Sequence, residues 1–229
     1  MRLRHEPLDV ETTFEFRIAV GASRGHANTL VRIEHQGIEG LGEAAPSHYY
    51  GESRPLVEAA LDAWAPCLGD DPLALDAIAA RMHTVLRGHG AARAAIDMAL
   101  HDWIGKRLGL PVWRWLGLDR DRAPLSCVTL GMADPVEMEQ KLETVLDFPM
   151  IKVKLGGAGD VDNLRRIRKR YRGRIRVDAN TAWSAADAVR VLRAIEPLGI
   201  DLVEQPVARE DLDGLRWVRE RSPIPVYAD

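Results

Sequence analysis

The chain has 229 residues, 46% hydrophobic and 28% charged, a globular balance with length enough for one large domain or two modest ones. Its formal net charge of −3 gives no electrostatic case for a nucleic-acid partner or an anionic membrane. No stretch approaches the ~18–20 apolar residues of a membrane-spanning helix.

Met1 to His5 has no apolar run behind its positive charges, as a secretory signal would. Cys67 and Cys127 lack metal-type spacing, so the expectation is a cytoplasmic protein with two small core cysteines and no disulfide. The basic run Arg165-Arg166-Ile167-Arg168-Lys169-Arg170 falls on a helical stretch and reads as a solvated face.

From about Thr12 to Glu43 the pattern is that of a β-meander. Phe14 to Val20 alternates apolar and charged side chains, Ala27 to His35 follows, and Gln36-Gly37 suits the turn into Ile38–Glu43. Gly21 to His26 has no apolar anchor and is expected to be a mobile loop. Helical spacing then covers Arg54–Leu68, Leu73–Leu86 and Ala91–Leu108. The last carries Ala95, Met98, Ala99, Trp103 and Ile104 as its apolar face and stops at Gly109. Strands followed by helices make an α+β unit over residues 1–118.

Over residues 119–229 the order changes to strict β–α alternation. Strands are expected at Leu125–Leu130, Met150–Leu155, Ile175–Asp178, Leu202–Glu204 and Val226–Asp229. Helices are expected at Pro135–Leu146, Asn163–Tyr171, Ala185–Leu198 and Leu212–Arg221. Crossover helices imply a parallel sheet, doubly wound or barrel-like. No Gly-x-Gly-x-x-Gly joins a strand to a helix, which counts against a dinucleotide site.

Lys152 and Lys154, two apart on an apolar strand, must point the same way, and two ammonium groups there need counterions. Lys154, Asp178, Glu204 and Asp229 recur about every 25 residues, each at the end of a strand, which returns them to one end of a parallel sheet. Three convergent carboxylates call for a cation, and oxygen-only ligands select a hard one such as Mg²⁺. A lysine beside a metal and a second ammonium is expected to have its pKa pulled down. Any one of these residues alone reads better as a helix cap, or as a lysine reaching for solvent. Four in register with one kind of chemistry do not.

The segments Ile151-Lys152-Val153-Lys154, Val177-Asp178-Ala179-Asn180, Val203-Glu204-Gln205-Pro206 and Tyr227-Ala228-Asp229 resemble the signature of the enolase superfamily, in its muconate-lactonising subgroup. Ala92–Gly117 resembles the last helix of that family's capping domain. Gly42-Glu43-Ala44-Ala45-Pro46 with Tyr50-Gly51-Glu52 is similar to the cap loops of dipeptide epimerases of the Ala-Glu type.

The resemblance implies an α+β capping domain followed by an incomplete α/β (modified TIM) barrel. It implies Lys154 as catalytic acid/base, Lys152 as its companion at the substrate carboxylate, and Asp178, Glu204 and Asp229 as Mg²⁺ ligands. Asn180 would support the first ligand, and Arg24 and Tyr50 are candidate substrate contacts. The implied reaction is epimerisation of a dipeptide or other carboxylate through an enediolate, in a protein that forms a homo-oligomer at full length. A cycloisomerase or an o-succinylbenzoate synthase would share these barrel residues. The family's barrel has eight strands, with a second lysine on the sixth. The resemblance therefore also implies a C-terminally truncated chain that carries one side of the site, or an inactive fragment.

Overall fold

The computed structural model describes every residue from Met1 to Asp229, in two compact units. Met1–Glu11 and Gly25–Ala123 form the first, Thr12–Arg24 and Pro124–Asp229 the second. A single cut near residue 118 therefore does not describe the division, because the tip of the first hairpin groups with the later residues.

Three strands, β1 (Arg2–Ile18), β2 (Gly21–His35) and β3 (Ile38–Ala44), form a sheet in that order. β2 and β3 pair antiparallel across Gln36 and Gly37, which take φ of 50° and 76°, the left-handed geometry of a tight hairpin turn. Gly21–His26 is strand, not the expected loop. Only Ala19 and Val20 are left to turn the chain, and backbone pairing holds such a hairpin without an apolar anchor.

In the first unit α1 (Arg54–Trp64) and α2 (Leu75–Val85) bury Val57, Leu61, Trp64, Ile78 and Met82. α3 (Gly90–Leu108) buries Ala92, Ala95, Ile96, Ala99, Leu100, Trp103 and Ile104. Met98, expected on that face, is exposed, because the buried stripe is centred on the 95–99–103 and 96–100–104 rows. Gly40 and Gly42 let β3 lie directly under α3. A Cβ built on them would sit 2.0 Å from the Ala99 carbonyl oxygen and 1.9 Å from that of Ala95. Gly109 ends α3 at φ 66°, and the short α4 (Val112–Trp115) follows Pro111.

The second unit alternates strand and helix: β4 (Val128–Leu130), α5 (Pro135–Glu143), β5 (Met150–Lys154), α6 (Asp160–Arg170), β6 (Arg174–Asp178), α7 (Ala185–Ile195), β7 (Ile200–Glu204), α8 (Leu212–Arg221) and β8 (Val226–Tyr227). The five strands form one parallel sheet in sequence order, so the fold is the expected α+β cap followed by an incomplete α/β barrel. Local signals start the helices. Asp134 accepts from the Val136 and Glu137 amides at 2.9 Å, Ser184 from Asp187 at 3.2 Å, and Asp211 from Gly214 at 2.8 Å. α6 begins at Asp160, before the expected Asn163, and β4 begins only at Val128.

Along β5 the odd residues Ile151 and Val153 are buried with Leu142, Leu164, Ile167 and Leu192, and the even residues Lys152 and Lys154 take the other face. The pairing aligns Lys154 with Asp178, Asp178 with Glu204, and Glu204 with Tyr227. Between β6 and β7 the register shifts between Ile175 and Val177, where a bulge takes up one residue.

Candidate active site at the carboxyl ends of the parallel strands

Four of the expected residues meet at the carboxyl ends of β5, β6 and β7. Lys154 Nζ donates to Asp178 Oδ2 at 2.7 Å, and Lys152 Nζ lies 2.8 Å from the same oxygen. Lys152 Nζ also lies 2.8 Å from the Glu204 carboxylate. Asp178 is wholly buried, and its other oxygen accepts the Asn180 amide at 2.9 Å. The lysine pair thus has the counterions that its placement demanded.

Burial pushes the Asp178 carboxyl up, but hydrogen bonds from Lys152, Lys154 and the Asn180 amide outweigh it and hold the group below its ordinary range. At Lys152 burial pulls the ammonium down, and its bonds to Asp178 and Glu204 together raise it. The net shift is upward because two carboxylates face Lys152. Lys152 therefore stays charged in this arrangement.

The turns behind the two acids are strained. Asn180, Thr181 and Gln205 take φ of 43°, 68° and 37°, a region that costs residues other than glycine of order 1–3 kcal/mol. They hold one another: the Thr181 amide donates to the Gln205 carbonyl at 2.8 Å, and the Ala179 amide to that of Glu204 at 3.1 Å.

Asp178 and Glu204 offer oxygen donors of the kind that a hard divalent ion takes. The facing atoms are carboxylate oxygens, a cationic nitrogen already lies within 2.8 Å of an oxygen from both Asp178 and Glu204, and Asn180 Oδ1 is buried without a partner. Asp229 does not join them, and no three His, Cys, Asp or Glu side chains converge tightly enough to hold a metal ion. It lies two residues beyond Tyr227, the last paired residue of β8, and is exposed.

Asn180 supports Asp178 through its main chain rather than its side chain. Arg24 is exposed on β2, and its carbonyl accepts from Thr12 Oγ1 at 3.3 Å. Tyr50, in the first unit, is exposed and packs edge-on against Tyr49 at 4.9 Å.

Two further residues shape the site. Gln205, 4% exposed, donates through Nε2 to the Val207 carbonyl and accepts the Asp229 amide at Oε1, both at 2.9 Å. Asp160 accepts the amides of Gly156 and Gly157 at 2.7 and 3.0 Å, bracing the loop that follows Lys154. A polar side chain directly after a strand-end acid is the signal that could have marked Gln205. Asp160 is signalled by its place behind a glycine-rich turn.

No helix is long and apolar enough to cross a membrane. The family described as the mandelate racemase / muconate lactonizing enzyme N-terminal domain matches residues 6–117, and that described as enolase C-terminal domain-like matches residues 136–229. An L-Ala-D/L-Glu epimerase of Bacteroides thetaiotaomicron is 32% identical over 100% of this chain and 60% of its own length. An L-Lys-D/L-Arg epimerase of Methylococcus capsulatus is 37% identical over 100% of this chain and 66% of its own. The dipeptide epimerase of Enterococcus faecalis V583, solved with Mg and L-Leu-L-Tyr, superposes with a TM-score of 0.90 at 30% identity, covering 100% of this chain and 67% of that one. This chain therefore spans only about 60–67% of the length of these relatives. With both family domains matched in order on the expected fold, the chain belongs to the mandelate racemase and muconate lactonizing enzyme family of the enolase superfamily.

Proposed function

We propose that the chain supplies one side of a Mg²⁺-dependent dipeptide epimerase site, which moves the proton on the carbon α to a carboxylate. The reading is carried by the cluster of Lys152, Lys154, Asp178 and Glu204 on aligned strand ends, where a proton acceptor and a cation site adjoin. Lys154 takes the α-proton. Lys152, kept charged by its acidic neighbours, pairs with the substrate carboxylate. Asp178 and Glu204, with Asp229, would hold the metal. When bound, Mg²⁺ supplies positive charge beside the carboxylate as the enediolate forms. The epimerase relatives favour a dipeptide of the Ala-Glu kind, with Arg24 as a contact for the substrate side chain.

The test follows α-proton exchange of L-Ala-L-Glu in D₂O by NMR, with and without Mg²⁺. Exchange is expected to need the metal and to fall by about 10²–10⁴-fold in Lys154→Ala, the range for loss of a general base. Exchange that survives Lys154→Ala sinks the base assignment. Mn²⁺ binding, read by electron paramagnetic resonance, is expected in the wild type and lost in Asp178→Asn. Equal binding by both removes Asp178 from the metal site.

A further inference from the structure

The hairpin formed by β1 and β2 has a tip, Thr12–Arg24, that groups with the second unit. Its outer backbone edge explains why. The carbonyls of Glu15 and Arg17, two residues apart, point to the same side of β1. Each accepts a hydrogen bond from the later part of the second unit. Lys141 of α5 donates through Nζ to the Glu15 oxygen at 3.0 Å, and the Met132 amide donates to the Arg17 oxygen at 2.7 Å.

Lys141 is an unusual choice for this task. It is 4% exposed, paired with Glu137 at 3.0 Å, and lies 5.9 Å from the centre of the Phe14 ring. A buried ammonium is costly unless its partners are fixed, and here they are a carboxylate one helical turn away and a carbonyl of the hairpin. Gly131 makes the approach possible, since a Cβ there would lie 3.0 Å from both the nitrogen and the oxygen of Arg17. Further along, the hairpin turn meets the candidate site. Ala19 packs on Gly156, where an added Cβ would come within 2.8 Å of the Ala19 Cβ. Gly156 is two residues past Lys154.

We propose that Lys141 is a positioning residue that clamps the hairpin along β4 and so seats its turn on the loop following Lys154. Its donation to Glu15, with the Met132–Arg17 bond, fixes how far along β4 the hairpin lies. The Ala19–Gly156 contact passes that placement to the end of β5. The catalytic consequence rests on reading Lys154 as the base, but the clamp itself does not.

Hydrogen–deuterium exchange resolved by residue tests it without substrate or metal, so failure of the clamp and failure of the epimerase reading are separable. In Lys141→Met the amides of Met132 and of residues 12–24 are expected to exchange at least about 10-fold faster. Those of Ile175 and Val177 in β6 should keep their wild-type rates, and Lys141→Arg, which still offers an N–H to Glu15, should restore protection. Gly131→Ala, which leaves Lys141 in place and presses on Arg17, should free the same hairpin amides. Unchanged exchange at Met132 and the hairpin overturns the proposal. So does an equal rise throughout β5–β7, which would make Lys141 a general support of the fold.

Discussion

The two units each pack helices on a sheet, yet they treat the buried faces differently. In the first, β3 presents glycine at Gly40 and Gly42, and α3 settles onto bare backbone. Its core is apolar apart from Asn28 and Thr29. In the second, one side of the sheet is as apolar as any core, with Ile151, Val153, Ile175, Val177 and Val203 against the helices. The other side carries Lys152, Lys154, Asp178 and Glu204. The first arrangement is stabilised by burial and close approach, which lose a little with each defect. The second depends on charges that are tolerated only as a set. Removing one leaves the others unpaired, although the set as a whole adds little to stability.

The comparison is sharpest at Asp178. Asp178→Ala should destabilise the second unit by about 3–5 kcal/mol in urea unfolding, the range for a broken buried ion pair. The same group makes stability depend on acid. Its carboxyl is held below the usual range when folded, so its contribution is full above the unfolded value of about 3.9 and disappears as pH falls through the folded one. Asp178→Asn should flatten that acid limb. In the first unit Gly42→Ala should cost about 1–3 kcal/mol, as the new methyl forces β3 away from α3. A loss at Gly42 equal to that at Asp178 would erase the distinction between the units.

The smallest difference lies at the helix starts. Ser184→Ala should cost about 1 kcal/mol, because its hydroxyl caps α7. Ser53→Ala, at the start of α1, should cost much less, since that side chain makes no capping bond. Thermal unfolding of the paired variants checks it, and equal losses would count against this contrast.

What was legible in the sequence follows the same division. The β–α alternation was readable because each helix carries its own start signal, as at Asp134, Ser184 and Asp211. The aligned acids were readable because a parallel sheet returns each strand to the same end. The allegiance of the hairpin tip was not, since it depends on Lys141 reaching a carbonyl 126 residues earlier in the chain. The contacts that keep Lys152 charged were not legible either, for a related reason. Spacing alone shows the neighbouring ammonium but not that two carboxylates will face the same nitrogen. At Asp229 a strand-end position marks the end of the sheet without fixing where the side chain points.

The bulge between β6 and β7 carries a lesson about tolerance. The stretches between successive strand ends differ in length, and an uncorrected slip of one residue would turn Glu204 to the helix side, away from Lys152. By storing the odd residue on β7, between Ile200 and Val203, the ladder brings Asp178 and Glu204 level again. The hydrogen-bond ladder is thus the ruler along which the reactive row is set, and the extra residue of β7 is the slack that lets the row close.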